Sequence, residues 1–311
     1  MHLAPVDQVK NTSNAMEKSD RKSINHTLQC RNSAGEHKIV FREWGNKSDH
    51  AIICIHGLTG NGSDFDFLAP HLVKNGYRVI AVDLAGRGLS DFLADPLDYN
   101  YQQYIQDITD VLNHLKLNKP GSVDWLGVSL GGLLGIRIAG EENSPIRRLI
   151  LNDVGPEVPK NALRFIYNVI RKRYLFMNID TFEKRLRMTR GLTWGPVTDE
   201  QWQHMAQNNN RKSFMGLLTY AYDRRISTIF KKHPTGGVDL WPYWDAITCP
   251  TLVLHGAFSA ILTEKILEKM KDTAKNFTLS THTFEGCGHV PSLMAHNQIK
   301  VIEEWLEKTK S

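Results

Sequence analysis

The chain has 311 residues, 41% of them apolar and 23% charged, the proportions of an ordinary globular protein and not of a fibrous or disordered one. No apolar run approaches the ~18 residues a membrane-spanning helix needs, since the richest stretch, residues 125–139, is broken by Arg137. The net charge of +5 is uneven: residues 157–245 hold 15 Lys and Arg against 8 Asp and Glu, so the remainder is slightly acidic.

Residues 1–24 are polar and mixed in charge, with no apolar segment of the secretory kind, and predict a disordered N-terminal extension on a cytoplasmic protein. Residues 26–31 and 39–44 read as two opening strands. Residues 51–55 form a short continuous apolar run ending at His56-Gly57, as expected of a strand buried on both faces. A helix over residues 67–74 stops at Asn75-Gly76, and residues 77–82 form another buried strand ending at Asp83. After a loop rich in turn residues, positions 104, 108, 111, 112 and 115 are apolar at helical spacing. Buried strands over residues 123–128 and 149–151 flank a helix.

This alternation implies a parallel sheet with right-handed crossovers. It lapses after Asp153 for about 90 residues that read as helical with no clear strand, and resumes at residue 251. A strand over residues 251–255, a helix over 263–273, a strand over 277–284 and a last helix over 299–308 complete the chain. The expected architecture is a mostly parallel, eight-stranded α/β sheet flanked by helices, formed by residues 25–155 and 246–311. A helical cap, residues 156–245, is inserted after the sixth strand.

The string Gly127-Val128-Ser129-Leu130-Gly131 falls between strand and helix, where it predicts a sharp turn that lifts the Ser129 hydroxyl above the sheet edge. Serine needs a base, and His289, in Gly288-His289 just after the last strand, lies on the same edge. The amides of Leu130, opening the helix, and Leu58, after His56-Gly57, are the candidate oxyanion donors. The four cysteines, Cys30, Cys54, Cys249 and Cys287, lack a C-x-x-C pair and read as reduced thiols, with Cys287 a packed one. Zinc-binding and nucleotide-binding strings are absent, so neither a metal nor another cofactor is expected.

Together with Asp83-Leu84-Ala85-Gly86-Arg87-Gly88-Leu89-Ser90-Asp91 and Leu151-Asn152-Asp153-Val154-Gly155-Pro156, these motifs resemble the α/β-hydrolase fold superfamily in its capped, esterase-like branch, from about residue 25 onward. The resemblance implies hydrolysis of a carboxylic ester or lactone through an acyl-serine intermediate. Hydrolases of this fold that cleave carbon–carbon bonds in anionic ring-fission products are the alternative. Asp83 and Asp91 fall in a turn that recurs in the fold, where bonds to backbone amides and to Arg87 are expected. The family usually supplies the third member, an aspartate, where this chain has Ala260 in Gly256-Ala257-Phe258-Ser259-Ala260-Ile261-Leu262. Three explanations stand open. Asp153 supplies the acid, or caps a turn only; Ala260 is an introduced, silencing substitution; or the chain is a weakened or non-catalytic binding protein. Glu264 is a poor substitute at the start of a helix.

The expected partner is a small ester or lactone, anionic if the basic cap attracts a carboxylate. Solvated helix faces explain the same charges. Neither a nucleic acid nor a membrane is expected, and the oligomeric state stays open. Trp194, Trp202, Tyr220 and Trp241 are the candidate aromatic lining of the pocket.

Overall fold

A computed structural model describes residues 22–45, 48–228, 230 and 238–310. Most of the expected N-terminal extension, and Lys231 and Lys232 of the basic stretch, lie outside the described residues. Ile24, the last residue assigned to the extension, already opens the first strand.

Eight strands form the main sheet: β1 (Ile24–Asn32), β2 (Gly35–Trp44), β3 (Ala51–Ile55), β4 (Arg78–Asp83), β5 (Val123–Val128), β6 (Ile146–Asn152), β11 (Thr251–Gly256) and β12 (Leu279–Phe284). Their order across the sheet is β1-β2-β4-β3-β5-β6-β11-β12, and β2 alone runs against its neighbours. The chain moves outward from β3 to β4 and then crosses back to β5, so the order reverses at β3 and β5. Ligands of open α/β sheets bind beyond the carboxyl ends of the strands at such a reversal.

The central strands read as unbroken apolar runs because both faces are covered. In β3, Ile53 and Ile55 enter one core while Ile52 and Cys54 enter the other; in β4, Ile80 and Val82 separate likewise from Val79 and Ala81. The first core takes in α2 (Tyr101–His114) and α3 (Leu130–Ala139), with Ile108, Val111 and Leu134 among its buried contacts. It also takes in α8 (Glu264–Thr273) through Ile266 and Met270. The second core is covered by α1 (Ala69–Lys74) and α9 (His296–Lys308), through Leu72, Ile302 and Trp305. Burying a side chain of this size contributes about 1.5–3 kcal/mol, so the two cores together drive the sheet to form.

Between β6 and β11 the chain forms α4 (Lys160–Ile170), α5 (Ile179–Arg190), α6 (Asp199–Asn208) and α7 (Trp241–Ala246). The expectation of no strand in this stretch is corrected by two short ribbons. One pairs β7 (Glu157–Val158) with β10 (Val238–Asp239), the other β8 (Asn210–Lys212) with β9 (Leu218–Tyr220). Strands of two or three residues are too short to show an alternating pattern. Among the described residues, no helix is long and apolar enough to cross a membrane.

Candidate active site

β5 delivers Ser129 at φ 50°, ψ −109°, a backbone conformation that L-residues avoid and that marks a strained turn. The glycines around it serve close approach. A Cβ on Gly127 would collide with the Gly131 carbonyl, and one on Gly131 with the Ile55 carbonyl. Helix α3 can therefore start directly against β3 and β5, with the Ser129 side chain standing clear of both.

His289 Nε2 lies 3.0 Å from Ser129 Oγ, and His289 Nδ1 lies 2.7 Å from Asp153 Oδ2. Asp153 is fully buried, also at positive φ (57°), at the end of β6. A buried carboxylate persists only if its oxygens are satisfied. Oδ1 accepts the Gly256 amide at 2.8 Å, and Oδ2 accepts the Ser259 hydroxyl at 2.6 Å as well as the imidazole. The Asp153 amide in turn donates to the Leu254 carbonyl at 2.8 Å. Asp153 is thus a turn residue and the partner of His289 at once.

Ala260 is exposed in the loop after β11 and offers no group to the imidazole. Its neighbour Ser259 takes part instead, and its Oγ also accepts the Ile261 and Leu262 amides at 3.2 and 3.1 Å. Sequence reasoning passed over Ser259, whose only signal was its place beside the missing acid. Asn152 was overlooked too. Its carbonyl accepts the Ser129 amide at 3.1 Å, and its side chain donates to the Pro291 carbonyl at 2.9 Å, stitching the serine turn to the histidine loop. Glu264 is remote from this chain of bonds and approaches His255 at 4.0 Å.

Leu58 and Leu130 border the same cavity as Ser129. Among the described residues, neither amide has a hydrogen-bond partner. The peptide preceding Leu58 is held by His56, whose Nδ1 lies 2.6 Å from the Gly57 carbonyl while Nε2 accepts the Leu84 amide at 3.0 Å. In a trans peptide the N–H opposes the C=O, so this bond turns the Leu58 amide away from His56. Burial pushes the His56 imidazole down to about 3, which keeps the ring neutral and able to accept from Leu84.

Arg87 corrects one expectation. It is buried and does not meet Asp83 or Asp91; it donates to the carbonyls of Leu58 (2.9 Å) and Ala85 (2.6 Å) and to the Tyr104 hydroxyl (2.6 Å). Asp83 accepts the amides of Gly62 and Leu89 at 2.6 and 2.8 Å, and Asp91 that of Lys38 at 2.9 Å, as turn carboxylates do. Cys287 is buried, and burial raises its thiol above the usual range, away from nucleophilic use.

The cavity above Ser129 measures about 1310 Å³ and is mainly apolar, walled by Leu130, Leu133, Leu163, Ile166, Ile226 and Leu240 among others. None of the four aromatic residues expected to line it does so. Trp194 and Trp202 stack on each other at 5.3 Å in a separate core with Phe182, and Tyr220 packs in T-shaped contact with Phe182. Trp241 donates its Nε1 to Glu157 at 2.6 Å beneath the Lys269 ammonium. Trp194 nevertheless supports the histidine loop: its carbonyl accepts the Ser292 amide at 3.1 Å and Gln298 Nε2 at 3.0 Å. Among the described residues, no three His, Cys, Asp or Glu side chains gather as a metal site would require.

The arrangement can move a proton from Ser129 to an imidazole whose far nitrogen meets a carboxylate, beside two amides that are unpaired among the described residues. Residues 50–294 match the profile of the alpha/beta hydrolase fold. The chain is 34% identical over 289 residues to a 3-hydroxybutyrate-oligomer hydrolase of Cupriavidus necator, an alignment covering 89% of this chain and 96% of that one. It is 26% identical over 250 residues to an esterase of Mycobacterium tuberculosis, covering 79% and 78%. A Rickettsia typhi protein described as a candidate hydrolase has a solved structure that superposes with a TM-score of 0.83 at 32% identity, covering 93% of this chain and all of that one. The chain belongs to the α/β-hydrolase fold family.

Proposed function

We propose that the chain is a serine hydrolase of carboxylic esters, acting through an acyl-Ser129 intermediate, with residues 156–245 as a cap over the site. His289 takes the Ser129 proton as the hydroxyl attacks the ester carbonyl, and later returns a proton to the leaving alcohol. Asp153 holds the imidazole tautomer and stabilises the imidazolium. The amides of Leu58 and Leu130 bind the oxyanion, each worth about 3 kcal/mol of transition-state stabilisation. Water then attacks the acyl-enzyme with His289 again as base.

The observation that carries this reading is the unbroken path from Ser129 through His289 to Asp153. It gives the imidazole a carboxylate despite Ala260, which favours the catalytic reading over a silenced or purely binding one. The same groups would serve a carbon–carbon bond hydrolase. Similarity over nearly the full length of an oligoester hydrolase favours the ester, and a short linear oligoester of a 3-hydroxy acid as its form. A lactone is the cyclic variant of the same chemistry.

A fluorophosphonate reagent, which labels activated serines, should modify Ser129 in the wild-type chain and fail to do so in His289→Ala. The methyl ester of the 3-hydroxybutyrate dimer should be hydrolysed in parallel. An unlabelled wild-type chain that leaves this ester intact would overturn the proposal.

A further inference from the structure

Helix α4 is amphipathic, burying Ala162 and Ile170 and leaving Lys160 and Arg164 exposed. A helix packed beside an apolar space turns apolar side chains inward and charges outward. Here the stripe formed by Lys160, Leu163, Arg164 and Tyr167, spaced i, i+3, i+4 and i+7, borders the cavity, while Phe165 is 70% exposed on the outside. Two exposed cations one turn apart therefore stand at the edge of the mainly apolar cavity that also contains Ser129.

The polar groups around them are mostly committed. The Tyr99 hydroxyl donates to Asp223 at 2.8 Å, Tyr104 accepts from Arg87, and Asn100 caps α2. Of the nearby acids, Glu157 holds Trp241 and Lys269, and Asp239, which also borders the cavity, accepts the Trp241 amide at 3.2 Å. Several other cations of the segment have partners, Arg187 with Glu183 and Asp199, Arg225 with Asp223, and Arg171 and Arg173 over rings, while Lys172, Lys184, Lys212 and Arg224 do not border the cavity. Lys160 and Arg164 have neither an ion pair nor a ring partner among the described residues.

From this we infer that Lys160 and Arg164 form a carboxylate-binding subsite that selects ester substrates carrying a free terminal carboxylate. The inference rests on the ester-hydrolase reading and adds the end group that reading leaves open. A guanidinium and an ammonium set one turn apart can each donate to a carboxylate, in bonds stronger than neutral ones. The remaining chain of the substrate would lie along Leu163 and Ile166 toward Ser129.

The test compares the free acid of the 3-hydroxybutyrate dimer with its terminal primary amide, which keeps the same single ester bond and lacks the charge. The wild-type chain should prefer the acid, and the ratio of kcat/KM, acid to amide, should fall about tenfold or more in Lys160→Ala/Arg164→Ala. An unchanged ratio would overturn the subsite. A second arm does not depend on turnover. By calorimetry, Ser129→Ala protein should bind the free-acid dimer, and adding both α4 substitutions should weaken binding by a similar factor; equal binding would overturn the inference. Should the wild-type chain cleave neither compound, the ester-hydrolase reading fails alone and the calorimetric arm still decides the subsite.

Discussion

The loops that follow β6 and β11 rise side by side over the carboxyl edge of the sheet, and they divide unequally a task the family usually gives to the second. The β6 loop brings a buried carboxylate, Asp153, to 2.7 Å from His289. The β11 loop, where the acid is expected, exposes Ala260 and contributes only the Ser259 hydroxyl and the Gly256 amide, both spent on Asp153. An imidazole needs a carboxylate oxygen within hydrogen-bond reach of its far nitrogen, and the strand that supplies it is of no consequence to the proton. Because β6 and β11 are paired in register, with Asn152 opposite Leu254, the two loops start from neighbouring positions. A carboxylate on the β11 loop would therefore start close to the one on the β6 loop.

The largest expected effect breaks this division outright. Asp153→Asn keeps the shape but neutralises the group, and should lower kcat by about 10⁴, as neutralising the acid does in serine proteases. Thermal unfolding of the variant should stay cooperative, which separates lost chemistry from lost fold. A variant within tenfold of wild type would mean that Asp153 only caps its turn. A smaller effect follows from returning the acid to its usual loop: Ala260→Asp in the Asp153→Asn background should recover part of the activity, on the order of 10- to 100-fold, against the 10⁴ lost. No recovery would show that the loops are not interchangeable in this chain.

Ser259 sharpens the comparison at a lower magnitude. Its hydroxyl shares Asp153 Oδ2 with the imidazole and is itself fixed by two amides. Removing one hydrogen bond to a charged group costs about 1.5–3 kcal/mol. Ser259→Ala should therefore lower kcat roughly 10- to 100-fold with little change in KM, while Ser259→Thr should retain most of the rate. A KM change with kcat intact would make the residue a part of the pocket and not a support for the acid.

The sequence carried Ser129 and His289 because each depends on local pattern: a glycine-flanked serine between an apolar strand and a helix, and a histidine just past the last strand. The central strands were legible for the same reason, their continuous apolar runs answering to cores on both faces. Asp153 was harder. Whether it reaches His289 depends on the pairing of β6 with β11 and on the fold of residues 256–259, and neither is local. The tryptophans of residues 156–245 were misjudged because hydrophobicity says that Trp194 and Trp202 are buried, but not against what. They bury against each other and carry the histidine loop. The cavity-edge stripe of α4 was legible in principle, since positions 160, 163, 164 and 167 share a helix face. Only the cavity shows which way that face points.

A third loop on this edge, after β3, offers the gentlest test, because it holds a donor in place without joining the relay. His56 is buried and neutral, with its pKa pushed down to about 3 from an ordinary 6.5. The unfolded chain binds a proton there that the folded chain refuses. Its contribution to stability is thus complete above pH 6.5 and is lost as pH falls through the range from 6.5 to 3. Protonation would also abolish the acceptor that holds the Leu84 amide. His56→Asn should be less stable than wild type at pH 7, while losing less stability between pH 6.5 and 4, as urea unfolding at each pH would measure. Parallel loss in both proteins would assign the acid sensitivity to other groups. If stability behaves as expected, the rate of Ser129 labelling at pH 7 should fall several-fold in His56→Asn, because the Leu58 amide is no longer aimed by the Gly57 carbonyl. The loops after β6 and β11 would be unaffected, which would separate the oxyanion side of the site from the proton relay.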